Sequence, residues 1–125
     1  MGIYAAVTAA QQAHIDKLKK QASVSKEAAD NLQAEVNANK ELIQSYNTIS
    51  QSYEKAIASK EELAEAALAV AEAYGIENAQ LLIAQGNYDI LNNKINEKIL
   101  AQKQDLLVKQ GKAYNDSRAA LEAEY

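Results

Sequence analysis

Apolar residues recur at alternating intervals of three and four over about the first 75 residues, in two heptad columns. One column contains Ile15, Ala22, Ala29, Val36, Ile43, Ser50, Ile57, Ala64 and Ala71. The other contains Leu18, Ser25, Leu32, Asn39, Tyr46, Tyr53, Lys60, Ala67 and Tyr74. This spacing is typical of a coiled-coil seam, and four polar residues interrupt it: Ser25, Asn39, Ser50 and Lys60.

A third apolar column joins the seam from Leu42 onward. It contains Leu42, Ile49, Ala56, Leu63 and Val70. An apolar face of three columns is wider than a two-stranded seam and is typical of a helix in a bundle. We therefore expect this part of the chain to pack against more than one neighbouring helix.

The pattern predicts a long helix, or consecutive helices, over residues 3–74. Ser59 followed by Glu62 fits a capping box, so a break near residues 57–59 and a continuous helix are both open at this stage. Ser23 or Ser25 offers a second possible internal helix start. Gly75 and Gly86 then end a helix each, which leaves a short helix over 77–85 and a last long helix over 88–123.

The last helix carries apolar pairs at intervals of seven residues. They are Ile99–Leu100, Leu106–Leu107, Ala113–Tyr114 and Ala120–Leu121. No segment has the alternating pattern of a strand. The sequence therefore predicts one all-α region over residues 1–125, an elongated helical hairpin or coiled coil with a short helix at its corner.

Composition agrees with this interpretation. The chain lacks Pro, Cys, Trp and Phe and has only four Gly, and good helix formers dominate it. The net charge is −4, and the lysines are interspersed with acids, which argues against a nucleic-acid-binding surface. No apolar run reaches the length of about 18 residues that a membrane span needs.

Candidate chemistry is sparse. His14 is the only histidine, and it has no acid on the same helix face, so a solvated residue is favoured over a general base. The acids Glu61, Glu62, Glu65 and Glu72 are interpreted as a solvated face. Gly75 and Gly86 lie too far apart for a phosphate-binding loop. We expect no enzyme activity, no cofactor and no metal.

The residues expected to act are those that pack helices or meet a partner chain. We assign this role to Leu18, Leu32, Val36, Leu42, Ile43, Tyr46, Ile49, Tyr53, Leu63, Val70, Tyr74 and Leu82. Tyrosines in a seam column are most often core or rim residues, and a partner surface is the alternative. The seam leaves oligomeric state and helix orientation open.

Two segments, Lys26–Asp30 (KEAAD) and Lys40–Tyr46 (KELIQSY), resemble helical segments of phage tail tape-measure proteins of Gram-positive phages and prophages. The likeness covers about residues 20–100 in composition and pattern. It implies a structural protein that spans a tail by helix–helix association, binds itself or other tail proteins, and resides in the virion tail. Tape-measure chains are far longer, so this chain would be a fragment or a short relative.

The alternative hypothesis is a bacterial helical adaptor or secretion-type module, with a cytoplasmic location, that presents its apolar face to a partner helix. Neighbouring genes would distinguish the two hypotheses: tail-tube and portal genes would support the first, and secretion genes the second.

Overall fold

The computed structural model describes residues 2–124, with side chains described over residues 8–124. The described residues form four α-helices and no strand. These are α1 (Gly2–Glu54), α2 (Lys60–Ala73), α3 (Ala79–Ala84) and α4 (Tyr88–Glu124). The all-α class and the short helix between longer ones are thereby confirmed, while the coiled coil stays a prediction. As the sequence predicts, none of the helices within residues 2–124 is long and apolar enough to cross a membrane.

The chain divides into two compact units. The central unit comprises Ala34–Lys103, and the terminal unit comprises Met1–Gln33 together with Gln104–Tyr125. The central unit therefore contains the end of α1, all of α2 and α3 and the beginning of α4. The terminal unit pairs the other part of α1 with the other part of α4.

The first heptad pattern does not lie on one helix, because α1 ends at Glu54 and α2 begins at Lys60. Of the two alternatives left open by the sequence, a helix break near residues 57–59 and a continuous helix, the structure has the break. The Ser59 hydroxyl accepts a hydrogen bond from the Glu62 backbone N–H at 3.1 Å, which is the first of the two bonds of a capping box. Ile57 and Lys60, which the heptad placed in its columns, are exposed. The other possible start does not occur, since α1 continues through Ser23 and Ser25.

Three helices end with the same backbone motif. After α2, Gly75 has φ +64° and Ile76 N–H donates to the Ala71 carbonyl at 2.9 Å. After α3, Gly86 takes the same role, and Asn87 N–H donates to Leu82 at 2.8 Å. This six-to-one bond across a left-handed residue is the Schellman motif, and it satisfies carbonyls that the helix end would leave unpaired.

The end of α1 uses this motif without a glycine. Ala56 has φ +60°, and Ile57 N–H donates to the Ser52 carbonyl at 2.8 Å. A left-handed conformation costs an L-residue about 1–2 kcal/mol because its Cβ crowds the following carbonyl oxygen. The hydrogen bonds of the motif and the packing of α2 must offset this cost.

The hydrophobic core of the central unit lies where α1, α2, α3 and α4 meet. Its buried members are Tyr46, Leu63, Ala67, Val70, Ala71, Ala79, Leu91 and Ile95. Alanines at the contact positions let the helices approach closely, and the larger side chains fill the space between them. The terminal unit has a thinner core, because its buried apolar residues are mainly small: Ala29, Leu32 and Ala120.

We predict that Ala56→Gly stabilises the protein. Glycine removes the left-handed cost of about 1–2 kcal/mol and adds an entropic cost of about 0.5–1 kcal/mol in the unfolded chain, for a net gain of about 0.5–1 kcal/mol. Thermal unfolding followed by circular dichroism should show Tm higher by about 2–5 °C.

The matched control is Gly75→Ala, which places a Cβ at the equivalent position of the next motif. An added Cβ there would meet no atom within 4 Å, so any loss comes from the backbone conformation alone. We expect Gly75→Ala to lower the free energy of unfolding by about 1 kcal/mol. A lower Tm for Ala56→Gly would contradict the strain assigned to Ala56.

Candidate helix-packing interface

No group of three or more His, Cys, Asp or Glu side chains that could hold a metal ion occurs in the described part of the chain. His14 is exposed on α1, and the four glutamates of α2 are exposed as well. The features with a defined geometry are apolar columns and a few polar pairs between helices. The candidate site is therefore a set of helix-packing surfaces.

The core of the central unit gathers eight of the twelve residues predicted to pack helices. Three are core members, namely Tyr46, Leu63 and Val70, and five pack against the core while partly buried, namely Leu42, Ile43, Ile49, Tyr74 and Leu82. Val36, also in this unit, is half-buried, and Tyr53 remains 43% exposed. Leu18 and Leu32 belong to the terminal unit, where Leu32 is buried and Leu18 half-buried.

Two core residues that the sequence interpretation missed are Leu91 and Ile95, at the start of α4. They form an i, i+4 series with Ile99, which packs against the same core. The signal was present in the sequence, but asparagines and a lysine surround these residues and mask the periodicity. The first turns of α4 thus supply apolar surface to the core that α1 and α2 share.

A partly buried hydrogen bond links α1 to α4 within the central unit. The Tyr46 hydroxyl donates to Asn92 Oδ1 at 2.6 Å. Burial is the main cause that raises the pKa of Tyr46, and Coulombic repulsion from Tyr88 in its ionised form adds to it, while the bond to Asn92 opposes the shift. The Tyr46 side chain therefore combines core packing with a polar contact that fixes the position of α1 against α4.

Asn39 is the exception in this core. It is only 5% exposed, and its Nδ2 has no hydrogen-bond partner. Burial raises the pKa of Tyr74, and the nearby Asn39 side chain opposes this shift, but the Asn39 Nδ2 does not reach the geometry of a hydrogen bond. A buried polar donor without a partner costs about 1–3 kcal/mol. The polar residue that interrupts the heptad at this position therefore opposes folding.

Polar side chains also join α1 to α4 within the terminal unit. The Ser25 hydroxyl donates to Asp116 Oδ2, and Lys112 Nζ lies 3.0 Å from the same oxygen. The hydrogen bond from Ser25, followed by that from Lys112, lowers the pKa of Asp116. Lys19 pairs with Glu124 further along the two helices. Since residue numbers rise along α1 as they fall along α4, the two segments are antiparallel.

The apolar pairs of α4 divide between two environments. Their first members are half-buried or buried, namely Ile99, Leu106, Ala113 and Ala120. Their second members are exposed, namely Leu100, Leu107, Tyr114 and Leu121. Successive residues of an α-helix point about 100° apart, so one column lies inside while its neighbour faces solvent.

The exposed column forms a ridge along α4 within the terminal unit. Leu107 is 68% exposed, Tyr114 66% and Leu121 56%. Gly111 and Arg118 lie between them, so that the spacing alternates between four and three residues. These five residues are called the open face. Several large apolar side chains exposed along one side of a helix are typical of an interaction surface.

We predict that Asn39→Leu raises the free energy of unfolding by about 1 kcal/mol. Leucine has the same branched shape and the same number of heavy atoms, although its methyl groups are larger, and it removes the unpaired donor, so the desolvation cost disappears. Urea denaturation at pH 7 measures the change. Asn31→Leu, at an exposed position of the same helix, makes the same gain in helix propensity and should raise the free energy by less than about 0.5 kcal/mol. A loss of stability with Asn39→Leu would contradict an unpaired amide.

We predict that Tyr46→Phe lowers the free energy of unfolding at pH 7 by about 1 kcal/mol, because Asn92 Oδ1 loses its donor. Tyr53→Phe, which alters an exposed ring, is the control.

The same variant tests the pKa of Tyr46. Because the folded-state pKa of Tyr46 is raised, the protonated hydroxyl contributes its full stabilisation below about pH 10. This contribution to the free energy of unfolding is lost as pH rises through the folded pKa. In Tyr46→Phe the free energy of unfolding should therefore fall less steeply with rising pH than in the unmodified chain. If urea titrations between pH 9 and 11 show that the free energy of unfolding falls equally steeply in both proteins, the raised pKa of Tyr46 is contradicted.

Comparison of the chain with protein-family models, with curated protein sequences and with solved structures finds no match. The resemblance to tape-measure proteins therefore stays a prediction that rests on the two segments of α1. The function has to be inferred from the packing surfaces themselves, and the open face of α4 is a row of large apolar side chains that the described chain leaves uncovered.

Proposed function

We propose that the chain is a structural, non-catalytic helical protein that acts by helix–helix association. The observation that carries this proposal is the open face, a row of large apolar side chains in the terminal unit that lies more than half exposed to solvent. Such a row has an unfavourable contact with water that a partner would remove.

The spacing of the open face indicates the shape of the partner. Leu107, Tyr114 and Leu121 repeat at intervals of seven residues, which keeps them in line along one side of a helix. A second helix lying along this row would cover all three. Full burial of one leucine contributes about 1.5–3 kcal/mol, so a row of this size supports a specific although modest association.

The more specific proposal is a tape-measure-like component of a phage tail. Its support is the resemblance in Lys26–Asp30 and Lys40–Tyr46, both on α1, together with the open face. In that role the partners would be other tail proteins or further copies of the chain, and the location would be the virion tail. A helical adaptor that offers the same face to a partner helix is the competing proposal.

The test of the tail proposal is binding to a defined partner. The genes beside this one should encode tail proteins, and the purified tail-tube protein should bind the chain in isothermal titration calorimetry. Leu121→Gln should weaken this binding at least tenfold, because it places a polar group in the covered row.

The matched control is Val24→Gln, since Val24 on α1 is 58% exposed and lies outside the open face. It should bind like the unmodified chain. Secretion genes in place of tail genes, with binding to a secretion component, would favour the adaptor. Binding that Leu121→Gln leaves unchanged would show that the open face is not the surface used.

A further inference from the structure

Gly111 is the least expected residue of the open face. It lies in the interior of α4, where glycine lowers helix stability relative to alanine. Its backbone does not have the positive φ of Gly75 and Gly86. A Cβ added at Gly111 would meet no atom within 4 Å, so no neighbour within the described chain requires a glycine here. The absence of a side chain leaves a gap in the ridge between Leu107 and Tyr114.

The open face therefore contains a large side chain and a matching gap one turn apart. If two α4 helices lie antiparallel with a two-fold axis between positions 112 and 113, Tyr114 of each copy lies over Gly111 of the other. The same register places Leu107 opposite Arg118, and Leu121 opposite Gln104. The aliphatic stems of arginine and glutamine can cover the leucines while their polar ends remain in water.

Charge favours the same orientation. The two-fold axis places residues 101–112 of one copy opposite residues 113–124 of the other. Residues 101–112 carry Lys103, Asp105, Lys109 and Lys112, for a net charge of +2. Residues 113–124 carry Asp116, Arg118, Glu122 and Glu124, for a net charge of −2. An antiparallel pair brings the positive half of one helix against the negative half of the other. A parallel pair would bring like halves together, which is less favourable at separations within the Debye length of about 8–10 Å.

We propose that the open face binds the open face of a second copy of this chain, antiparallel, with Tyr114 of each copy seated on Gly111 of the other. The proposal rests on the proposed function and names the partner of the same surface. A face that supplies both the large side chain and the gap is complementary to itself, as a two-fold symmetric interface requires. The row is small beside a standard interface of about 800 Å² per partner, so the dimer is a weak one that forms as concentration rises.

The first experiment is sedimentation equilibrium of the full chain from micromolar to millimolar concentration. The expected result is a reversible monomer–dimer equilibrium. Leu107→Gln and Leu121→Gln should each raise the dimer dissociation constant at least tenfold, and Val24→Gln should leave it unchanged. A chain that stays monomeric to millimolar concentration would overturn the proposal.

Gly111→Gln separates folding from association, because it should change the two in opposite directions. Glutamine is a better helix former than glycine and has open space at this position, so Tm of the dilute monomer should rise. The same side chain fills the gap that receives Tyr114, so the dimer should weaken at least tenfold. A dimer constant unaffected by Gly111→Gln would overturn the seating of Tyr114.

Helix orientation can be measured with single spin labels, since the chain has no cysteine of its own. In the antiparallel register, labels on Glu122→Cys lie about 28 Å apart along the axis, and labels on Asn115→Cys about 8 Å apart, at 1.5 Å per residue. A parallel pair in register gives the same short distance at both positions. If double electron–electron resonance gives the same short distance between the labels at both positions, the antiparallel pairing is overturned.

The outcomes also separate this inference from the proposed function. If the chain stays monomeric but binds a tail protein in a way that Leu121→Gln weakens, the second copy is the wrong partner and the function proposal stands. If the dimer forms as described and no tail or secretion protein binds, self-association stands and the tail role fails.

Discussion

The pairing of α4 with α1 along one side of each helix is the constraint on which the rest of the structure depends. In the central unit it is made by Leu91 and Ile95 and by the bond from Tyr46 to Asn92. In the terminal unit it is made by small apolar residues and by the bond from Ser25 to Asp116. A helix has only one side to bury against a single partner. Each apolar pair of α4 must therefore leave its second member in solvent wherever α1 is the only neighbour.

The central unit meets this constraint differently from the terminal unit. There α2 and α3 supply further apolar surface, and they are held in place by two Schellman motifs and the Ser59 cap. These devices end the helices where the chain must turn and satisfy the exposed backbone groups. The core of that unit is consequently built from four helix segments, whereas the described terminal unit contains two and buries mostly small side chains.

Features carried by residues with special backbone chemistry could be predicted from the sequence. Gly75 and Gly86 each end a helix as expected, and Ser59 caps α2. The end of α1 could not be located with certainty, because Ala56 takes a left-handed conformation that its own chemistry disfavours. Ser25 and Asn39 were interpreted as interruptions of a seam, yet both are buried. A hydrophobicity pattern cannot identify Asp116, 91 residues away, as the partner of Ser25.

The candidate site could be predicted only in part. The apolar pairs of α4 are visible in the sequence, but which member faces inward depends on what lies across the interface.

The proposed role of Leu107 and Leu121 can be tested most directly by methyl NMR with a soluble paramagnetic agent. At micromolar concentration we expect the agent to broaden the methyl signals of Leu107 and Leu121 strongly and those of buried Leu91 not at all. As the protein concentration rises, the signals of Leu107 and Leu121 should become protected, and those of Val24 should not. Leu107 and Leu121 signals as protected as that of Leu91 in the dilute chain would contradict an open face on α4.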